Sequence, residues 1–85
     1  MSDLDTRFEK AAAEVHELDT RPDNRTLLKL YALYKQGLKG DVAGEKPAFH
    51  DFIGVAKYEA WEKLQGMDPG EARQRYVKLV ESLLR

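Results

Sequence analysis

Two tyrosines and two lysines carry most of the chemistry this sequence offers. Wound at about 100° per residue, the segment from Leu27 to Leu38 places Tyr31, Tyr34 and Lys35 on one side, beside Leu27, Leu28 and Leu38. Lys57 falls between Ile53, Ala60, Trp61 and Leu64, in the middle of an apolar stripe. Ammonium groups hold phosphate as mobile point charges. Phenol rings can stack on a base and donate a hydrogen bond as well. The set suits a ligand that is partly apolar, partly flat and partly anionic. Plainer explanations exist for each residue. The Lys57 stem can pack on Trp61 while its ammonium reaches water, a tyrosine pair can be core packing, and Lys35 alone would be solvated. Their coincidence is what points to an anion site bordered by aromatics.

Other chemistry is thin. The serines are Ser2 and Ser82, and neither has a setting that would activate a nucleophile. His16 and His50, with no cysteine in the chain, make a poor start for a metal site. Glu14, Glu17, Glu59, Glu62 and Glu81 read as solvated helix faces. The expectation is a protein that is not an enzyme and needs no metal or cofactor.

The bulk properties agree. Eighty-five residues make one small domain, near the size at which a single core just suffices. With 42% hydrophobic and 34% charged residues the chain is not a disordered one. A formal net charge of -1 argues against non-specific nucleic-acid binding, which would need a basic excess. Without cysteine there is no disulfide framework and no thiolate chemistry. The N-terminus lacks an apolar signal region and no run approaches a membrane span. A cytoplasmic, monomeric protein without membrane insertion is expected.

Four helical segments must position these residues. In the first, Leu4, Phe8, Ala11, Ala12, Val15 and Leu18 recur at helical spacing, with Ser2, Asp3 or Asp5 as cap. Asp23 or Asn24 caps the second, which runs to about Leu38 and stops at Gly40. Leu30 and Leu33 point away from its tyrosine face, and only Arg25, Lys29, Gln36 and Lys39 form a solvated strip. That helix has more apolar surface than one core needs, so its second face wants a ligand or partner. Gly40 to His50 is a connection long enough to be functional. The third helix covers roughly Phe52 to Gln65 and stops at Gly66. Asp68-Pro69-Gly70-Glu71 opens the fourth, whose buried stripe is Ala72, Tyr76, Leu79, Val80, Leu83 and Leu84. The fold class is all-α, a four-helix bundle forming a single domain over residues 1–85.

With these residues in view, the chain resembles the acyl-CoA-binding protein family from Phe8 to about Leu83. The resemblance is carried by Leu30-Tyr31-Ala32-Leu33-Tyr34-Lys35-Gln36, Gly40-Asp41, Lys46-Pro47, Asp51-Phe52 and Gly54-Val55-Ala56-Lys57-Tyr58-Glu59-Ala60-Trp61. Phe8-Glu9-Lys10-Ala11-Ala12 and Tyr76-Val77 add to it. The resemblance implies one acyl-CoA-binding domain that carries medium- to long-chain fatty acyl-CoA esters without chemical change. It implies that the nucleotide sits against Tyr31, Lys35, Lys57 and Tyr76, with the 3′-phosphate held by Tyr31, Lys35 and Lys57. Tyr34, Ala12, Leu27 and Leu28 would complete the pocket, with His16 at a position that is usually lysine. Ile53 and Val55 also replace frequent lysines, and Tyr58 a frequent tryptophan, so the surrounding positive field is weaker. A helical interaction module using the Tyr31 and Tyr34 face is the alternative, as is an acyl-CoA-sensing accessory domain or a detached domain of a larger acyl-CoA enzyme.

Overall fold

Three aspartates set the starts of three of the four helices in the computed structural model, which describes residues 3–85. Asp23 Oδ1 accepts from the Thr26 amide at 2.8 Å, Asp51 Oδ1 from Gly54 at 3.0 Å and Asp68 Oδ2 from Glu71 at 3.1 Å. Each bond satisfies an amide that the first turn of a helix leaves without a partner. The helices are α1 (Asp3–Glu14), α2 (Asn24–Lys39), α3 (Phe52–Glu62) and α4 (Pro69–Leu83), with no strand among the described residues. Ser2, one possible cap of α1, lies outside them.

Two helices end earlier than their apolar periodicity predicts. After Glu14 the chain tightens into a 3₁₀ turn, Val15–Glu17, and becomes extended at Leu18. The last turn of α1 holds no basic residue, while Glu14 and Glu17 oppose the negative end of the helix dipole. Similarly, α3 stops at Glu62 and continues as tight turns, with Leu64 N–H donating to Trp61 and Gln65 N–H to Glu62. Gly66, at φ 93°, then reverses the chain.

Helix α2 is the centre of the bundle, packed on both α4 and α3, while α1 packs on α4. The core is Phe8, Ala11, Leu30, Leu33, Ala72, Tyr76, Val77 and Val80. Leu30 and Leu33 are therefore core residues, and the protein itself covers much of both apolar faces of α2. Val77 joins the buried stripe of α4, whereas Leu84 is exposed. Gly37 permits the close approach of three helices, because a Cβ there would lie 2.9 Å from Arg73 Cγ and 3.2 Å from Phe8 Cζ. Arg73 uses that proximity, donating to the Gly37 carbonyl at 2.7 Å and to Asp5 at 2.6 Å.

Gln36 overturns the expectation of a solvated position, since it is fully buried. Its amide donates to Asp41 Oδ1 at 2.9 Å and to the Met67 carbonyl at 2.8 Å, and the Gly66 N–H reaches the same Asp41 oxygen. This knot joins the end of α2, the start of the long connection and the α3–α4 turn. Further along, the Trp61 indole donates to the Gly40 carbonyl at 2.8 Å, Tyr58 Oη to Gly44 at 3.2 Å, and Lys46 pairs with Glu59 at 2.9 Å. The long connection is thus fastened to α3 through Lys46.

The body measures 37 × 30 × 15 Å, with a radius of gyration of 13.0 Å. A compact domain of this length would have a radius of about 12 Å. The flattening leaves little interior and opens clefts on the surfaces beside α2.

Candidate ligand-binding site

Tyr31 is half-buried on α2 with two cations near its ring. Lys35, one turn later, places Nζ 5.8 Å from the centre of the Tyr31 ring and 5.6 Å from that of Trp61. Lys57 comes from α3 and places Nζ 5.3 Å from the Tyr31 ring centre. These distances lie within the range of cation–π attraction. Neither ammonium makes an ion pair among the described residues. Lys57 is exposed and sits over Tyr31, while Lys35 takes the position over Trp61.

Behind Tyr31 lies a cleft of about 400 Å³ between α1 with its 3₁₀ turn, α2 and α4. Six of the nine expected site residues line it: Ala12, His16, Leu27, Tyr31, Tyr34 and Tyr76. Lys35 and Lys57 stand at its Tyr31 edge. Leu28 does not join them and lines a different groove, bounded by α2, α3 and α4. Val15 and Leu30 complete the cleft and were not anticipated. Val15 shares its helical phase with Ala11 and Ala12 and could have been found that way. Leu30 could not, because periodicity turned it away from Tyr31.

An aromatic trio supports the cleft. Phe8 and Tyr34 stack with ring centres 5.4 Å apart, Tyr76 meets Phe8 edge-on at 5.3 Å, and Tyr34 lies 5.7 Å from Tyr76. Such pairs hold rings in fixed relative positions. Tyr34 accordingly has two roles, packing on Phe8 and lining the cleft. Burial pushes the Tyr76 phenol above its ordinary pKa, with a smaller contribution from Tyr34. It is a neutral hydroxyl across the physiological range. Among the unusual positions, Tyr58 fastens the long connection through Gly44, and Ile53 is exposed.

The fold and this cleft define a small helical ligand-binding domain whose site combines an apolar interior with a cationic, aromatic rim. The chain belongs to the acyl-CoA-binding protein family: the family model "Acyl CoA binding protein" matches residues 5–80. It is 48% identical over 77 residues to acyl-CoA-binding protein homolog 1 of Caenorhabditis elegans, covering 91% of this chain and 90% of the relative. It is 45% identical over 76 residues to enoyl-CoA delta isomerase 2 of Rattus norvegicus, covering 89% of this chain but only 19% of that larger protein. Among solved structures, acyl-CoA-binding protein 2 of Oryza sativa matches with a TM-score of 0.90 at 32% identity, covering 95% of this chain and 88% of that one.

Proposed function

We propose that this chain binds medium- to long-chain fatty acyl-CoA esters and buffers and transports them without chemical change. The observation that carries the reading is the Tyr31 ring flanked by the unpaired Lys35 and Lys57 ammoniums at the mouth of an apolar cleft. In this reading the 3′-phosphate takes both lysines and Tyr31, and the adenine lies against Tyr31 and Tyr76. Ala12, Leu27, Leu28 and Tyr34 contact the remainder of the ligand, and His16 stands near its anionic head. The thioester and acyl chain are shielded between the protein and the folded-back CoA. One chain supplies every one of these groups, which supports a monomeric carrier. No helix among the described residues is long and apolar enough to cross a membrane. A partner helix on the Tyr31 and Tyr34 face is the poorer reading, because Tyr34 is already stacked on Phe8.

The test is calorimetric titration with CoA, the free fatty acids and a series of acyl-CoA esters from octanoyl to stearoyl. Affinity should rise with chain length by at most about 0.8 kcal/mol per buried methylene, with CoA and free acids both far weaker. Absence of binding to every ester would overturn the reading.

A further inference from the structure

The groove that holds Leu28 is the larger depression, about 920 Å³ against about 400 Å³ for the Tyr31 cleft. Leu27 and Leu28 are successive residues of α2, the first lining the cleft and the second the groove. On α3, Lys57 of the phosphate site directly follows Ala56 of the groove. An acyl tail leaving a head held at Lys35 and Lys57 therefore has an apolar floor beside it, made of Leu28, Ala32, Ala56, Ala60, Leu64 and Leu79. A methyl-ended tail needs that floor and nothing else. The groove offers more. Arg25 and Lys29 from α2, Lys63 after α3 and Lys78 from α4 stand around it, all exposed. None of the four makes an ion pair among the described residues. Arg75 is taken by Glu71, and the groove's one carboxylate, Glu59, by Lys46. In a chain of net charge -1, four such cations around one apolar floor are a local arrangement and not a bulk surplus.

We propose that the acyl chains this protein carries include chains ending in a carboxylate, as CoA monoesters of long-chain dicarboxylic acids, and that the groove cations receive the distal charge. The proposal rests on the acyl-CoA reading and names a ligand class for it. In that reading the 3′-phosphate is taken at Tyr31, Lys35 and Lys57, so a methyl-ended tail leaves the groove cations without an anion. A carboxylate drawn along an apolar floor with no counter-charge at its end would suffer a desolvation penalty. Here it ends among ammonium and guanidinium groups at a wet rim, where a charge-assisted hydrogen bond replaces lost water. The cations also suit a terminus at more than one distance from the head. Helix α3 runs in the same direction as α2, since Tyr31 meets Lys57 and Lys35 meets Trp61. Helix α4 runs the opposite way, since Tyr34 meets Tyr76 and Gly37 meets Arg73. Arg25 and Lys63 consequently stand toward opposite ends of the groove, with Lys29 and Lys78 between them.

The experiment is calorimetric titration of the parent, and of a Lys29→Glu, Lys78→Glu double variant, with palmitoyl-CoA and hexadecanedioyl-CoA. The two esters differ only at the distal carbon, a methyl in one and a carboxylate in the other. Both lysines are exposed, so the variant should keep the thermal midpoint of the parent. The measured quantity is the ratio of the two affinities, in which any effect of the variant on the shared CoA head cancels. The parent should bind hexadecanedioyl-CoA within about fivefold of palmitoyl-CoA or more tightly, and the double variant should shift the ratio against it by at least about fivefold. Added salt should move the parent's ratio in the same direction. A parent that binds the dicarboxylyl ester more than about fivefold more weakly, or a ratio that the double variant leaves within that factor, overturns the proposal. Palmitoyl-CoA reports the carrier reading separately. Binding of palmitoyl-CoA with rejection of the dicarboxylyl ester removes this proposal alone, and binding of neither removes both.

Discussion

Lys35 and Lys57 approach the Tyr31 ring from two helices, and neither has a carboxylate partner among the described residues. Two cations left in that state favour whatever anion can reach both. Lys35→Ala and Lys57→Ala should each weaken acyl-CoA binding by roughly 1–3 kcal/mol, the scale of a charge-assisted hydrogen bond. Titration calorimetry checks this, and the thermal midpoint of the ligand-free Lys57→Ala variant should stay near that of the parent because the side chain is exposed. His16 lines the same cleft. His16→Lys should raise affinity for acyl-CoA by placing a further ammonium at the cleft, as read by titration calorimetry. The juxtaposition of Tyr31, Lys35 and Lys57 was foreshadowed in the sequence, because Tyr31, Tyr34 and Lys35 share a helical face and Lys57 interrupts an apolar stripe. Helical phase put Leu28 beside Leu27, and in the structure it lines the neighbouring groove bounded by α2, α3 and α4.

At the scale of elements, the joint between α2, the long connection and the α3–α4 turn rests on Gln36 and Asp41. The Gly66 amide, and after it the Gln36 side chain, hold the Asp41 carboxyl below its ordinary value of 3.8. The unfolded chain consequently takes up this proton first as pH falls. The stabilisation is complete above about pH 4 and lost as pH drops through the lowered folded value. Asp41→Ala should reduce the thermal midpoint by a constant amount between about pH 5 and pH 7, and that difference should shrink below about pH 4. Thermal melts of both proteins over that pH series give the comparison. Helix number, the Asp68 cap and the Gly40 stop could all be read from local residue order. Gln36 could not, since its partners are a carboxylate five residues away and a carbonyl 31 residues away. A helical wheel that groups it with Lys29 and Lys39 has no access to those contacts.

For the whole molecule, a thickness of 15 Å means that little of the chain is far from solvent, so ligand contacts are a large share of its stabilising surface. A ligand present at about 100 times its dissociation constant adds about 2.7 kcal/mol to the native state. For a domain of this size that corresponds to roughly 10–20 °C in thermal midpoint. Palmitoyl-CoA should produce a rise on that scale, and palmitate at the same concentration far less, because only the ester supplies phosphate to Lys35 and Lys57. Scanning calorimetry distinguishes them. The bundle as an all-α class was evident from periodicity alone. The arrangement of faces around α2 was not, because sequence gives the apolar surplus of a helix but not whether neighbouring helices or a ligand cover it.

Trp61 is the sole tryptophan of the chain and is 6% exposed, with its indole N–H held by Gly40 and the Lys35 ammonium 5.6 Å from its ring. The protein therefore contains a single indole, which can be excited selectively over its four tyrosines, and its neighbour is one of the groups assigned to the phosphate. A ligand that draws Lys35 away from the indole changes the charge beside the excited state, so emission intensity and wavelength should respond to acyl-CoA without any attached dye. In Lys35→Ala the optical change at saturation should be smaller than in the parent, even when enough ligand is added to fill both. Stopped-flow mixing read at that one wavelength then gives the rates of loading and release directly.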